Sequence, residues 1–102
     1  MSVDFGLTEK QLNAIRGVCI QHPSVKQVVV FGSRSLGHYR EGSDLDLCLM
    51  DNEMPFSELL QLKVQLDDLN LPIHCDVIRF SSIKNEELRS HIHRAGVELL
   101  LT

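Results

Sequence analysis

Val25–Met50 reads VKQVVVFGSRSLGHYREGSDLDLCLM, and this stretch decides the fold. Val25 to Phe31 is β-branched and nearly continuous, which predicts a buried strand ending at Gly32. Ser33 to Gly37 has room only for a short helical turn, and His38 to Ser43 is a polar loop. A second strand follows from about Asp44 to Met50. Side chains alternate along a strand, so Leu45, Leu47 and Leu49 fall on one face and Asp44, Asp46 and Cys48 on the other. Gly32 and Ser33 therefore end one strand, and two aspartates begin the next. If those strands run antiparallel, the turn and the carboxylates meet at one place.

Outward from this stretch the signals alternate between helix and strand. Upstream, Thr8 is followed three residues later by Gln11, a capping-box arrangement. Leu12, Ile15, Val18 and Cys19 recur at helical spacing, and Pro23 stops the segment. Downstream, Pro55 suits the first turn of a helix. Phe56, Leu59, Leu60, Lys63, Val64 and Leu66 carry the pattern towards Asn70. Pro72 blocks extension, and Ile73 to Phe80 reads as a third strand. Ser81 or Ser82 is placed to cap a last helix, with Glu86 and Glu87 in its first turn, where the helix dipole favours anions. Leu88, Ile92 and Ala95 form its apolar stripe, Gly96 ends it, and Val97 to Leu101 reads as a terminal strand. The order α-β-turn-β-α-β-α-β predicts a layered α/β domain. At 102 residues, with no repeat or linker, residues 1–102 are expected to form a single domain.

Composition narrows the function classes. Apolar residues at 43% and charged residues at 24% are ordinary for a folded globular chain. No apolar run approaches the roughly 20 residues needed to span a bilayer. The opening MSVDFGLTEK lacks the basic and apolar regions of a signal peptide, so no membrane association and a cytoplasmic location are expected. A net charge of −4 argues against direct nucleic-acid binding through a basic surface field. Cys19, Cys48 and Cys75 lie far apart in apolar contexts and read as buried thiols.

The chemistry is concentrated between Gly32 and Asp46. Glycine at a strand end lets a ligand approach the backbone, and amides at the start of a turn favour an anion such as phosphate. Ser33 adds a hydroxyl donor, and Arg34 and Arg40 add positive charge nearby. Asp44 and Asp46 repel one another unless a cation sits between them. Mg²⁺ is the expected ion, because it takes a few carboxylates plus water and phosphate oxygens. A third carboxylate, Asp76, interrupts the apolar strand IHCDVIRF, where it is costly without a partner or a cation. Other candidates are weaker. His91 and His93 are two apart on a helix and share no face, no zinc-ligand spacing is present, and both read as surface or core histidines. His38 and Tyr39 read as exposed loop. Neither a Walker A lysine motif nor GxGxxG occurs.

Gly32-Ser33, ten residues, then Asp44-x-Asp46, with Asp76 on a later strand, resembles the DNA polymerase β-like nucleotidyltransferase superfamily. The short length is similar to its minimal nucleotidyltransferase branch, the antitoxin-type MntA proteins. Gly37 matches the glycine of that family's turn region, and LRSHIHRAGVELL resembles its terminal helix and strand. The resemblance implies a mixed β-sheet flanked by helices and nucleotidyl transfer, usually AMP from ATP, with two Mg²⁺ ions. By the same resemblance Gly32, Ser33 and Arg34 bind the nucleotide, with Ser33 on the β- and γ-phosphates. Asp44 and Asp46 hold the metal ions, and Asp76 completes the second metal site and helps activate the acceptor hydroxyl. The implied partner is a HEPN-type helical protein, whose tyrosine is adenylylated by the antitoxin. The alternative is a non-catalytic nucleotide-binding module that neutralises its partner by binding. Transfer to a small molecule or a nucleic-acid end is disfavoured by the small size and acidic charge.

Overall fold

The computed structural model describes residues 4–50 and 54–101. Residues 1–3, part of the opening read for a leader, lie outside the described residues. The chain runs α1 (Glu9–Ile20), β1 (Gln27–Phe31), α2 (Ser33–Leu36), β2 (Leu45–Met50), α3 (Phe56–Asp67), β3 (Cys75–Arg79), a 3₁₀ turn (Phe80–Ser82), α4 (Glu86–Ala95) and β4 (Val97–Leu99). One four-stranded sheet has the order β3-β2-β1-β4. β1 pairs antiparallel with β2 and β4, and β2 pairs parallel with β3 across the α3 crossover. The sheet is therefore mixed and flanked by helices, as expected.

Alternation along the strands sorts the side chains into two clusters. One face carries Val28, Val30, Leu45, Leu47, Leu49, Val77 and Leu99, which pack with Leu12, Ile15 and Cys19 of α1 and Leu59, Leu62 and Leu66 of α3. The other face carries Val29, Phe31 and Cys48, covered by Ile83 and by Ile92 of α4. The Thr8 capping box is present: Gln11 N–H donates to Thr8 Oγ1 at 3.1 Å and Thr8 N–H to Gln11 Oε1 at 2.9 Å. His22, buried just after α1, contacts Glu58 Oε2 at 2.9 Å and Gln65 Oε1 at 2.6 Å, which ties α1 to α3. Burial alone depresses a histidine pKa, but the hydrogen bonds to Gln65 and Glu58 and the Glu58 charge outweigh it and raise that of His22. All three cysteines are free and buried, and burial pushes each thiol to about 11.

The structure corrects three local expectations. The last helix is capped by Asn85, whose Oδ1 accepts from Leu88 N–H at 3.1 Å, not by Ser81 or Ser82. Those serines lie in the 3₁₀ turn, closed by Ile83 N–H donating to the Phe80 carbonyl. β3 is shorter than Ile73–Phe80, because its ladder with β2 begins at Leu45 opposite Cys75. Pro55 caps α3 from outside its first turn.

The α3 pattern also divides differently from the sequence reading. Leu59, Leu62 and Leu66 are buried, while Phe56, Leu60 and Val64 remain 59%, 46% and 57% exposed. Residues 59, 62 and 66 lie on one stripe of a 3.6-residue helix, whereas 56, 60 and 64 form a second stripe well round the cylinder. One sheet face covers only one of them. Leu62→Ala is accordingly expected to cost about 2–4 kcal/mol of stability, and Leu60→Ala under about 1 kcal/mol. Urea unfolding of both variants checks this; equal losses would contradict the assignment of the buried stripe.

Candidate functional site

β1 and β2 run antiparallel with Phe31 opposite Asp46, so the end of one strand meets the beginning of the next. Gly32 follows Phe31 with φ 79° and ψ −153°, a region reserved essentially for glycine. A Cβ at Gly32 would come within 2.5 Å of Asp46 Oδ2. Two independent facts, backbone angle and space, thus demand glycine here. The Gly32 carbonyl accepts from Ser35 Oγ at 2.9 Å and from Leu36 N–H at 3.2 Å, which closes α2. Gly37 then ends that turn in the left-handed region at φ 77°. Among the described residues the Ser33 hydroxyl has no hydrogen-bond partner within the protein.

The three aspartates come together, each from a different cause. Asp46 is set by β2 alternation, on the same face as Cys48. Asp76 faces Asp46 directly in the parallel β2–β3 register, one strand spacing or about 4.8 Å away between Cα atoms. Asp44 precedes β2 by one residue and is exposed. Burial raises the Asp46 pKa above the usual aspartate value, and the charges of Asp76 and Asp44 raise it further. Among the described residues none of the three forms an ion pair with a Lys, Arg or His. The site therefore concentrates negative charge with no protein cation to balance it.

A divalent cation would supply that balance. No group of three or more His, Cys, Asp or Glu side chains among the described residues forms a protein-only metal cage. Mg²⁺ does not need one, since it is commonly held by one or two carboxylates with waters and substrate phosphates. The all-oxygen donor set is of the kind that Mg²⁺ takes. Asp46 and Asp76, paired across β2 and β3, are the residues that could hold it, with Asp44 two residues from Asp46.

Arg34 stands apart from these residues. The sequence reading placed it on the nucleotide, but its side chain is only 3% exposed. Nε donates to the Ser43 carbonyl at 2.9 Å, Nη1 donates to the Phe5 carbonyl at 2.8 Å, and the guanidinium lies 4.8 Å from the Tyr39 ring centroid. These contacts fasten the amino-terminal segment and the loop before Asp44 onto α2. Arg40 is exposed in that loop. His91, which the sequence reading set aside, reaches the turn from α4: Gly32 N–H donates to its Nε2 at 3.3 Å. Fifty-nine residues separate the two, so no local spacing signals the contact.

No curated protein matches the chain. Among solved structures, a toxin–antitoxin complex crystallised with AMP-PNP aligns with TM-score 0.68 and 21% identity, covering 89% of this chain and 73% of that one. An MntA–HepT toxin–antitoxin structure aligns with TM-score 0.67 and 16% identity, covering 93% and 74%. At these identities the likeness shows the fold. Residues 13–102 match the family described as polymerase beta, nucleotidyltransferase, and with its mixed sheet, Gly32-Ser33 turn and clustered aspartates the chain belongs to that family.

Proposed function

We propose that this nucleotidyltransferase is a Mg²⁺-dependent adenylyltransferase that moves AMP from ATP onto a tyrosine of a HEPN-type helical partner, as the antitoxin of a pair. The observation that carries the proposal is the in-register Asp46–Asp76 pair beside the Gly32-Ser33 turn, which gathers charge that a metal-bound triphosphate would neutralise. The solved neighbours described as toxin–antitoxin structures, one with AMP-PNP, support the choice of nucleotide and partner. Among the described residues no helix is long and apolar enough to cross a membrane, and we assign the pair to the cytoplasm.

Each residue has a separate task. Gly32 leaves the Asp46 carboxylate unobstructed beside the turn, and the Ser33 hydroxyl donates to a phosphate oxygen. Asp44 and Asp46 orient the metal-bound triphosphate. Asp76 sits on the exposed edge strand, open to an incoming acceptor, and receives the acceptor's proton. When bound, Mg²⁺ would neutralise phosphate charge and stabilise the attacking and leaving oxygens. The acceptor oxygen bonds to the α-phosphorus, the bond to the β-phosphate oxygen breaks, and pyrophosphate leaves.

The test is to incubate the chain and its HEPN-type partner with ATP and Mg²⁺ and to weigh the partner by intact-mass spectrometry. AMP-sized additions that disappear with EDTA or with Asp76→Asn are expected. A partner that is bound and inhibited yet unmodified overturns the enzymatic reading in favour of neutralisation by binding.

A further inference from the structure

The amide of Gly32 faces a side chain from the far end of the chain. Its N–H donates to His91 Nε2 at 3.3 Å, while the His91 ring packs edge-on against Phe31, with centroids 6.4 Å apart and planes at 76°. An accepting Nε2 carries no proton, so the ring proton sits on Nδ1.

The platform beneath this histidine is firmly held. Ile92, its neighbour on α4, is 2% exposed in the cluster with Val29, Phe31 and Cys48. Arg89 Nη1 donates to the Ile83 carbonyl at 3.0 Å, and its guanidinium lies 4.4 Å from the Phe80 ring centroid. His93 meets the same ring edge-on, with centroids 5.0 Å apart. α4 is thereby fixed to the sheet by Ile92 and to the 3₁₀ turn by Arg89 and His93. The histidine reaches the turn from a rigid base.

We propose that His91 is a positioning residue, which holds the Gly32 peptide in the one conformation that leaves Asp46 and Ser33 free for the metal-bound nucleotide. The proposal rests on the nucleotidyltransferase reading above. Gly32 is clamped at both ends of its peptide units, by His91 at N–H and by Ser35 and Leu36 at C=O. Its position matters because Asp46 Oδ2 stands 2.5 Å from where a Gly32 Cβ would be. The Gly32 peptide thus lies against the Asp46 carboxylate and directly precedes Ser33. Without the Nε2 acceptor, the amide is free to turn towards other partners. His91 touches no reacting atom in this scheme and acts through Gly32.

The test compares wild type, His91→Gln and His91→Leu. Glutamine offers an amide oxygen as a replacement acceptor, while leucine fills space against Phe31 without one. Three quantities are read: melting temperature, the Gly32 amide resonance, and kcat/KM for AMP transfer. With melting temperatures within a few degrees, His91→Leu is expected to shift the Gly32 amide and lower kcat/KM about tenfold, the scale of one hydrogen bond. His91→Gln is expected to restore most of both. Wild-type transfer rates in His91→Leu, or an unmoved Gly32 amide, overturn the proposal, as does a glutamine variant no better than leucine. If wild type itself neither binds ATP nor transfers AMP, the enzymatic reading fails, and the Gly32 resonance still decides whether His91 holds the turn. If the leucine variant does not fold, the wild-type His91 tautomer decides: the Nδ1–H form supports the proposal and the Nε2–H form overturns it.

Discussion

Asp46→Asn is expected to lower AMP transfer about a thousandfold or more while raising the melting temperature of the nucleotide-free protein by a few degrees. The two effects share one cause. Asp46 is half-buried beside Asp76 and near Asp44, and its pKa is raised by burial first and by those two charges next. A raised folded-state pKa means that the fold favours the protonated carboxyl. The corresponding stability is fully present below the unfolded aspartate value and is lost as pH rises through the folded one. At neutral pH the charged carboxylate is therefore a burden on the apo fold, and asparagine removes the charge at constant shape. Thermal melts between pH 4 and pH 8 should show the gain of Asp46→Asn growing with pH. Intact-mass assays of the partner measure the loss of transfer. A variant that loses stability at pH 8, or that transfers AMP normally, would remove Asp46 from the centre of the site.

Arg34→Ala is the second large effect, and it falls on stability. The buried guanidinium satisfies the carbonyls of Phe5 and Ser43 and lies against the Tyr39 ring. Alanine leaves those carbonyls without their charged donor and opens a void. Each orphaned buried polar group costs on the order of 1–3 kcal/mol, so the total loss is about 3 kcal/mol. For a domain of this size that lowers the melting temperature by roughly 12–24 °C. Arg34→Lys should recover less than half, because an ammonium lacks the planar fork that reaches both carbonyls. Urea unfolding reads the loss directly. If Arg34→Ala instead melts like wild type and loses only nucleotide affinity, the side chain belongs to the nucleotide and not to the loop.

The same two residues mark how far local sequence reaches. Asp46 was legible because strand alternation is a property of adjacent residues: once Leu45, Leu47 and Leu49 face the core, Asp46 must face away. The Thr8 capping box was legible for the same reason, since donor and acceptor lie within one turn. The Gly32-Ser33 turn and its approach to the aspartates followed from strand order and an antiparallel pair, which the β1–β2 register bears out. Arg34 shows the limit of that reading, because an arginine beside a phosphate-binding turn and an arginine holding a loop have the same local pattern. Its burial depends on Phe5 and Ser43 folding over it.

Leu60 and Leu62 show a similar limit. Periodicity tells which residues share a stripe, but two apolar stripes on α3 compete for one sheet face, and the packing of β2 and β3 chooses Leu62. The α4 cap moved to Asn85 because the chain first closes a 3₁₀ turn at Phe80–Ser82. Asp76 was singled out as a charge in an apolar strand, yet its place beside Asp46 required the parallel register. What the sequence determined by itself was the succession of elements, the faces of β2 and the residue types gathered at the Gly32-Ser33 turn and the start of β2. The tertiary structure decided which distant partners meet: Asp46 with Asp76, Arg34 with Phe5 and Ser43, and Gly32 with His91. Local periodicity is set by bonded neighbours, whereas those contacts are selected only when whole elements pack against one another.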